Sequence, residues 1–250
     1  MRIFICVLAL LPWASAARSA PAERQSETVR YAFSPAGRIA VENVHGSIRV
    51  NAWSKPEVKV TIVKSAPAGC HCLDDASVTA ERRPESLSLI TVYSGSSTNP
   101  VQVDYEIEAP GGSRLDALRT VDGDIAVEGV EGGVTAQTLR GNIAESNVSG
   151  PLSGRALDGD IGISMRRARM AAGGLNLETI TGNIFLTLPP HPNAMLSVAT
   201  VAGKIECPHG LELAADNGGD ARRAQFGRGG PMIRLSTVRG DIHVEESGGN

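Results

Sequence analysis

The chain has 250 residues, 42% hydrophobic but only 4% aromatic, with a formal net charge of −3. That balance excludes a bulk electrostatic partnership with nucleic acid. Its aliphatic share suits a core packed in ladders of aliphatic side chains rather than by aromatic bulk.

Residues 1–16 read as a signal peptide. Arg2 supplies a positive n-region, Ile3 to Trp13 an apolar h-region, and Ala14-Ser15-Ala16 a small-residue cleavage site. The apolar run is shorter than the roughly 20 residues a spanning helix needs. The expectation is therefore a periplasmic or secreted chain with no transmembrane segment after cleavage. Residues 17–28 are polar and aperiodic and read as a disordered lead-in.

Residues 29–112 are expected to form an N-terminal β cap together with a first repeat. Val29 to Phe33 reads as a strand, Ile39-Ala40-Val41 and Ile48-Arg49-Val50 flank Gly46, and Val58, Val60 and Ile62 alternate with Lys59 and Thr61. Trp53 is expected to cover the open end of a stack. Leu87 and Leu89, then Val101, Val103, Tyr105 and Ile107, alternate in longer antiparallel or edge strands, and Pro110-Gly111-Gly112 leads into a regular array.

That array, residues 113–245, is the strongest pattern in the chain. Gly123, Gly132, Gly141, Gly150 and Gly159 recur at nine-residue spacing. Apolar residues sit two places before each glycine (Val121, Val130, Leu139, Val148, Leu157) and two places after (Ile125, Val134, Ile143, Leu152, Ile161), which reads as strands with one buried face. Every second glycine carries a richer signature, with Asp122 and Asp124, Arg140 and Asn142, or Asp158 and Asp160 beside it, so the full repeat is eighteen residues. The predicted fold is all-β: a β-solenoid of stacked two-strand coils about 4.8 Å apart, continuous with the cap. The signature recurs around Gly46, Gly182, Gly203 and Gly240, and Ile48, Ile125, Ile143, Ile161, Ile184, Ile205 and Ile242 predict an inward isoleucine ladder.

Phrases such as Val41-Glu42-Asn43-Val44-His45-Gly46-Ser47-Ile48, Thr120-Val121-Asp122-Gly123-Asp124-Ile125 and Thr237-Val238-Arg239-Gly240-Asp241-Ile242 resemble the bacterial putative-adhesin domain family of β-strand-repeat proteins. The resemblance spans Val41 to Val244. It implies an extracytoplasmic solenoid-like domain and brings no catalytic motif and no cofactor.

The array continues to the C-terminus with insertions after Ile163, Leu186 and Cys207, all at one corner of successive coils. Two of them gather arginines: Arg166, Arg167 and Arg169, then Arg222, Arg223 and Arg228. Guanidinium groups suit carboxylates and phosphates, so this edge is the candidate binding site. Its candidate ligands are an anionic glycan, a lipid headgroup or an acidic envelope protein. The expected function is a non-enzymatic, adhesin-like binding or envelope structural module.

Two other chemistries compete. Asp124 and Asp160 would stand roughly 10 Å apart in one column, near the spacing of an inverting glycosidase pair, although Asp and Asn beside a turn glycine ordinarily cap turn amides. Calcium binding is disfavoured because the paired glycines of a calcium β-roll are missing. Cys70, His71, Cys72 and His209 offer soft-metal ligands, while export favours a disulfide from Cys207 to Cys70 or Cys72. Cys207 also shares the repeat position of Val127, Ile163 and Leu186, which reads as a core thiol.

Overall fold

The computed structural model describes residues 23–94, 101–165, 173–215 and 221–248. The signal-peptide segment lies outside the described residues. Among them no helix is long and apolar enough to cross a membrane.

Alternating apolar residues make strands along the whole described chain. The first third holds β1 (Glu23–Ala32), β2 (Arg38–Glu42), β3 (Ile48–Trp53), β4 (Glu57–Ala66), β5 (Ala76–Arg83), β6 (Ser86–Tyr93) and β7 (Gln102–Pro110). The regular run follows: β8 (Arg114–Asp122), β9 (Ile125–Glu128), β10 (Val134–Arg140), β11 (Ile143–Val148), β12 (Leu152–Asp158), β13 (Ile161–Met165), β14 (Leu175–Thr181) and β15 (Ile184–Leu188). The last strands are β16 (Ala194–Ala202), β17 (Ile205–Glu206), β18 (Ala214–Ala215), β19 (Arg222–Phe226), β20 (Met232–Arg239) and β21 (Ile242–Glu246). They form two large sheets, one of 10 and one of 11 strands, mixed in strand direction and not closed into a barrel. The all-β expectation holds.

From β8 to β15 the chain alternates between the sheets. Each strand lies parallel to its counterpart one repeat on, Val134 beside Leu152 and Ile143 beside Ile161. Where the sequence carries its first insertion the register is kept across the extra residues, and Leu152 still meets Leu175.

The order of layers departs from the order of the chain at both ends. β20 and β21 pair with β14 and β15 on one side and with β16 and β17 on the other, so the last repeat of the sequence is an interior layer. Likewise β2 and β3 lie between β6 and β7 on one side and β8 and β9 on the other. Trp53 therefore does not cover an open end; it sits beside Pro110 in an interior strand and donates its indole N–H to the Glu57 carbonyl. Strand β1 begins at Glu23, inside the stretch expected to be a disordered lead-in, and pairs antiparallel with β4 along its whole length. The antiparallel strands of the N-terminal third extend the two large sheets, β4 in one and β5 in the other.

The core lies between the sheets. Ile48, Ile125, Ile143, Ile161, Ile184 and Ile242 stack in one column with no exposed surface, and Ile205 is half-buried because its layer ends the stack. Each such side chain contributes about 1.5–3 kcal/mol by leaving water. The column two places further on runs Val50, Val127, Glu145, Ile163, Leu186, so a carboxylic acid occupies an aliphatic slot. The matching inward column of the other sheet carries its smallest residues, Ala136 and Gly154, where neighbouring layers have Leu118 and Leu177. Glu145 is 2% exposed and, among the described residues, neither carboxyl oxygen has a hydrogen-bond partner. Burial pushes its pKa up to about 8.

Layers approach closely at the signature glycines. Gly141 has φ +143°, and a Cβ there would lie 2.1 Å from the Gly123 carbonyl oxygen. No side chain fits that distance, which is why glycine marks this corner of the repeat.

Candidate functional site

The corner beside the glycines is built from two side-chain ladders. Just before it, threonines point inward and donate to a glycine carbonyl in the adjacent layer: Thr120 to Gly46, Thr138 to Gly123, Thr179 to Gly159, Thr237 to Gly182 and Thr200 to Gly240, at 3.0–3.1 Å. Just after it, Asp or Asn accepts the backbone N–H of the equivalent residue one layer on. Asp124 accepts from Asn142, Asn142 from Asp160, Asp160 from Asn183, Asn183 from Asp241 and Asp241 from Lys204, at 2.7–2.9 Å. Asp124 and Asp160, the pair considered for glycoside hydrolysis, are thus both engaged in joining layers. Of the positions immediately before the glycines, Asp122, Arg140 and Asp158 alternate in charge in successive layers. His45 and Arg140 both contact Asp122, and the Arg140 hydrogen bonds hold the Asp122 carboxyl below the usual carboxylate range.

The outer face of the 11-stranded sheet carries a feature that the glycine-centred reading does not place. The residues two before each signature glycine, expected on the buried face, point outward. Leu139, Leu157, Ile180 and Val238 are each about 42% exposed and Val201 74%, while Val44 and Val121 at the other end of the column are half-buried. The signal is present in the sequence. Alternation from Val134 through Ala136 carries Thr138 inward and leaves Leu139 on the opposite face, because the chain turns at the glycine instead of running straight through it.

Next to this aliphatic column runs a polar one: Glu42, Arg119, Gln137, Arg155 and Glu178, in register across β2, β8, β10, β12 and β14. Its charges are paired within the wall, Arg119 with Glu42 at 3.4 Å and Arg155 with Glu178 at 2.6 Å. Between the two columns lies an open groove of about 480 Å³ crossing the strands from Glu42 to Ile180.

Three of the arginines singled out by sequence, Arg222, Arg223 and Arg228, fall among the described residues. Arg166, Arg167 and Arg169 lie outside the described residues. Arg222 and Arg223, expected in an inserted loop, belong to strand β19, which pairs antiparallel with β16 and lays Ala224 and Phe226 over the end of the core. Arg228 follows in an exposed turn, where its backbone N–H donates to the Asn193 side chain at 2.8 Å. Arg222 lines a surface hollow together with Lys204 and Glu206.

The disulfide is Cys70–Cys72, not a bond to Cys207. The residues closing it are two apart in the chain and need no folded stack to bring them together, whereas Cys207 lies at the far end of the array. Cys207 is a free, half-buried thiol whose pKa burial raises. Among the described residues no group of three or more His, Cys, Asp or Glu side chains is gathered for a metal.

No family model matches the chain, and no curated protein does. It is similar to solved structures described as a putative cell adhesion protein from Clostridium sporogenes (14% identity, 91% of this chain and 100% of that one, TM-score 0.48) and a putative adhesin from Bacteroides fragilis (14%, 89% and 97%, 0.44). A further one, described as a putative lipid binding protein from Parabacteroides distasonis, has 10% identity over 90% of this chain and 97% of that one, with a TM-score of 0.27. The adhesin resemblance drawn from the sequence is met again among these structures. At such identities and TM-scores the likeness assigns this chain no activity and no ligand.

Proposed function

We propose that this protein is an exported, non-enzymatic β-solenoid with an N-terminal β cap, serving as an adhesin-like binding module of the cell envelope or exterior. The observation that carries the reading is the exposed aliphatic column on the outer face of the 11-stranded sheet, an apolar strip that the fold itself leaves uncovered. Two further features support it. The column carboxylates hold layers together, and the Cys70–Cys72 disulfide suits an oxidising compartment beyond the cytoplasm. The test is retention of the chain on arrayed glycans and on lipid vesicles, with product analysis. Retention with the ligand intact is expected; cleaved glycan, or no retention on any surface, overturns the reading.

A second reading, recognition of an anionic ligand by the arginine edge, is favoured by the hollow that Lys204 and Arg222 share. It expects retention on vesicles containing phosphatidylglycerol that weakens between low and moderate salt. Replacing Arg222, Arg223 and Arg228 together by Ser should abolish that retention, and unchanged retention rejects it.

A further inference from the structure

The groove between the aliphatic and polar columns has three properties that together narrow its occupant. It is long and one residue wide. Neighbouring strands are about 4.8 Å apart, so the groove, which crosses β2, β8, β10, β12 and β14, spans roughly 19 Å and is one apolar side chain wide. A stable interface with a second copy would bury about 800 Å² on each partner, so the strip is too narrow to be one. A linear molecule fits its shape.

The groove also has a fixed period, one apolar and one polar side chain per strand. An extended peptide rises about 3.3 Å per residue and falls out of step with that period. Laid across the strands, a peptide would also bring amides against a sheet whose own N–H and C=O groups are already paired with neighbouring strands. An extended chain of β-linked pyranoses advances by nearly the strand spacing for each sugar. Each sugar presents an apolar C–H face beside an edge of hydroxyls, the same division that the two columns make.

Finally, the wall is neutral. Glu42 with Arg119 and Arg155 with Glu178 compensate each other inside the groove, and on the far side of the aliphatic column Asp122 is held by Arg140. A charged ligand would have to break one of these pairs to find a counter-charge. A hydroxyl can add to them as they are, because guanidinium and carboxylate groups have further donors and acceptors, and Gln137 brings an amide able to do both.

Resting on the binding-module reading above, we infer that this groove is a row of subsites for a neutral, linear, β-linked polysaccharide lying along the stack. The C–H faces of successive sugars rest on Val121, Leu139, Leu157 and Ile180, and the hydroxyl edge meets the polar column.

The test is calorimetric titration of the full chain with cello- and chito-oligosaccharides of two to six sugars, with maltohexaose, whose α-linkages coil the chain, as the contrast. Affinity should climb with each added sugar up to about four for the β-linked series and then level off, exceed that for maltohexaose at least tenfold, and vary little with salt. Leu139→Ser with Leu157→Ser should lower it at least tenfold while leaving the melting temperature within a few degrees, since both side chains are already exposed. Gln137→Ala should lower it severalfold, which guards against a fold defect in the double variant. Equal binding of maltohexaose, or β-glycan binding unchanged by these substitutions, overturns the inference. So does loss on substitution of self-association or of binding to neutral phosphatidylcholine vesicles instead of sugar. In those cases the wider binding reading survives, whereas failure of every glycan and vesicle surface removes both.

Discussion

Asp124 accepts the backbone N–H of Asn142 at 2.7 Å, and Asn142 does the same for Asp160 at 2.9 Å. An amide and a carboxylate therefore perform one task in one column, the work of a side-chain carbonyl oxygen facing a peptide N–H. Asp124→Asn should consequently be almost neutral, whereas Asp124→Ala should cost about 1 kcal/mol. Urea unfolding of the two variants compares them; equal destabilisation by both would show that the charge, not the acceptor, is what matters.

The threonine ladder has one gap. Ala156 is in register between Thr138 and Thr179, both of which donate to a glycine carbonyl in the adjacent layer. Ala156→Thr should supply the missing donor to Gly141 and raise stability by about 1 kcal/mol. A lowered melting temperature would mean that the corner has no room for the added atoms.

Glu145 ties stability to pH. Its carboxyl pKa is about 8 in the folded chain, against 4.5 for the free group, so between those values the folded state holds a proton that the unfolded state has released. Stability contributed by the neutral acid is fully present below about pH 4.5 and is lost as pH rises to about 8, at about 1.4 kcal/mol per unit. Subtracting the profile of Glu145→Gln from that of the wild type should isolate the slope. Glu145→Val, which copies Val127 in the same column, should stabilise the protein by several kcal/mol at pH 8. A difference profile that is flat from pH 5 to 8 would show the carboxyl to be solvated.

Glycines of the array are not equivalent. Gly141→Ala places a methyl 2.1 Å from a carbonyl oxygen at a backbone angle that L-residues rarely adopt, and should cost at least ~3 kcal/mol or prevent folding. Gly162, within β13, has open space where a methyl would go, with no atom within 4 Å, and Gly162→Ala should be neutral or slightly stabilising. Melting curves of the two variants, side by side, provide the check.

The repeat is legible in the sequence because one period governs both backbone and side chains. The eighteen-residue spacing yields the parallel register of Val134 with Leu152, and the isoleucines yield the inward column. Layer order is not legible: Gly203 and Gly240 carry the same signature, and any layer can pair with any other that presents the same face. It is the Gly240 layer, not the Gly203 layer, that meets Gly182, and no local motif distinguishes the two. The candidate site is partly visible. Leu139, Leu157 and Ile180 stand out as a periodic apolar set, but the period alone assigns them to the wrong side, because the glycine corner resets the alternation. The pairing of Arg119 with Glu42, 77 residues apart, leaves no trace in one sequence.

The placement of β20 between β14 and β16 and of β21 between β15 and β17, and likewise of β2 between β6 and β8 and of β3 between β7 and β9, has a consequence for how such a protein can change over generations. An open array lengthens by tandem duplication at an end, each new copy docking on the last. Here the last repeat of the described sequence, β20 and β21, lies in a layer already enclosed on both sides, so its successor in sequence could not dock on it. Duplication between β8 and β15, where consecutive repeats are also consecutive layers, would lengthen the stack without disturbing that order.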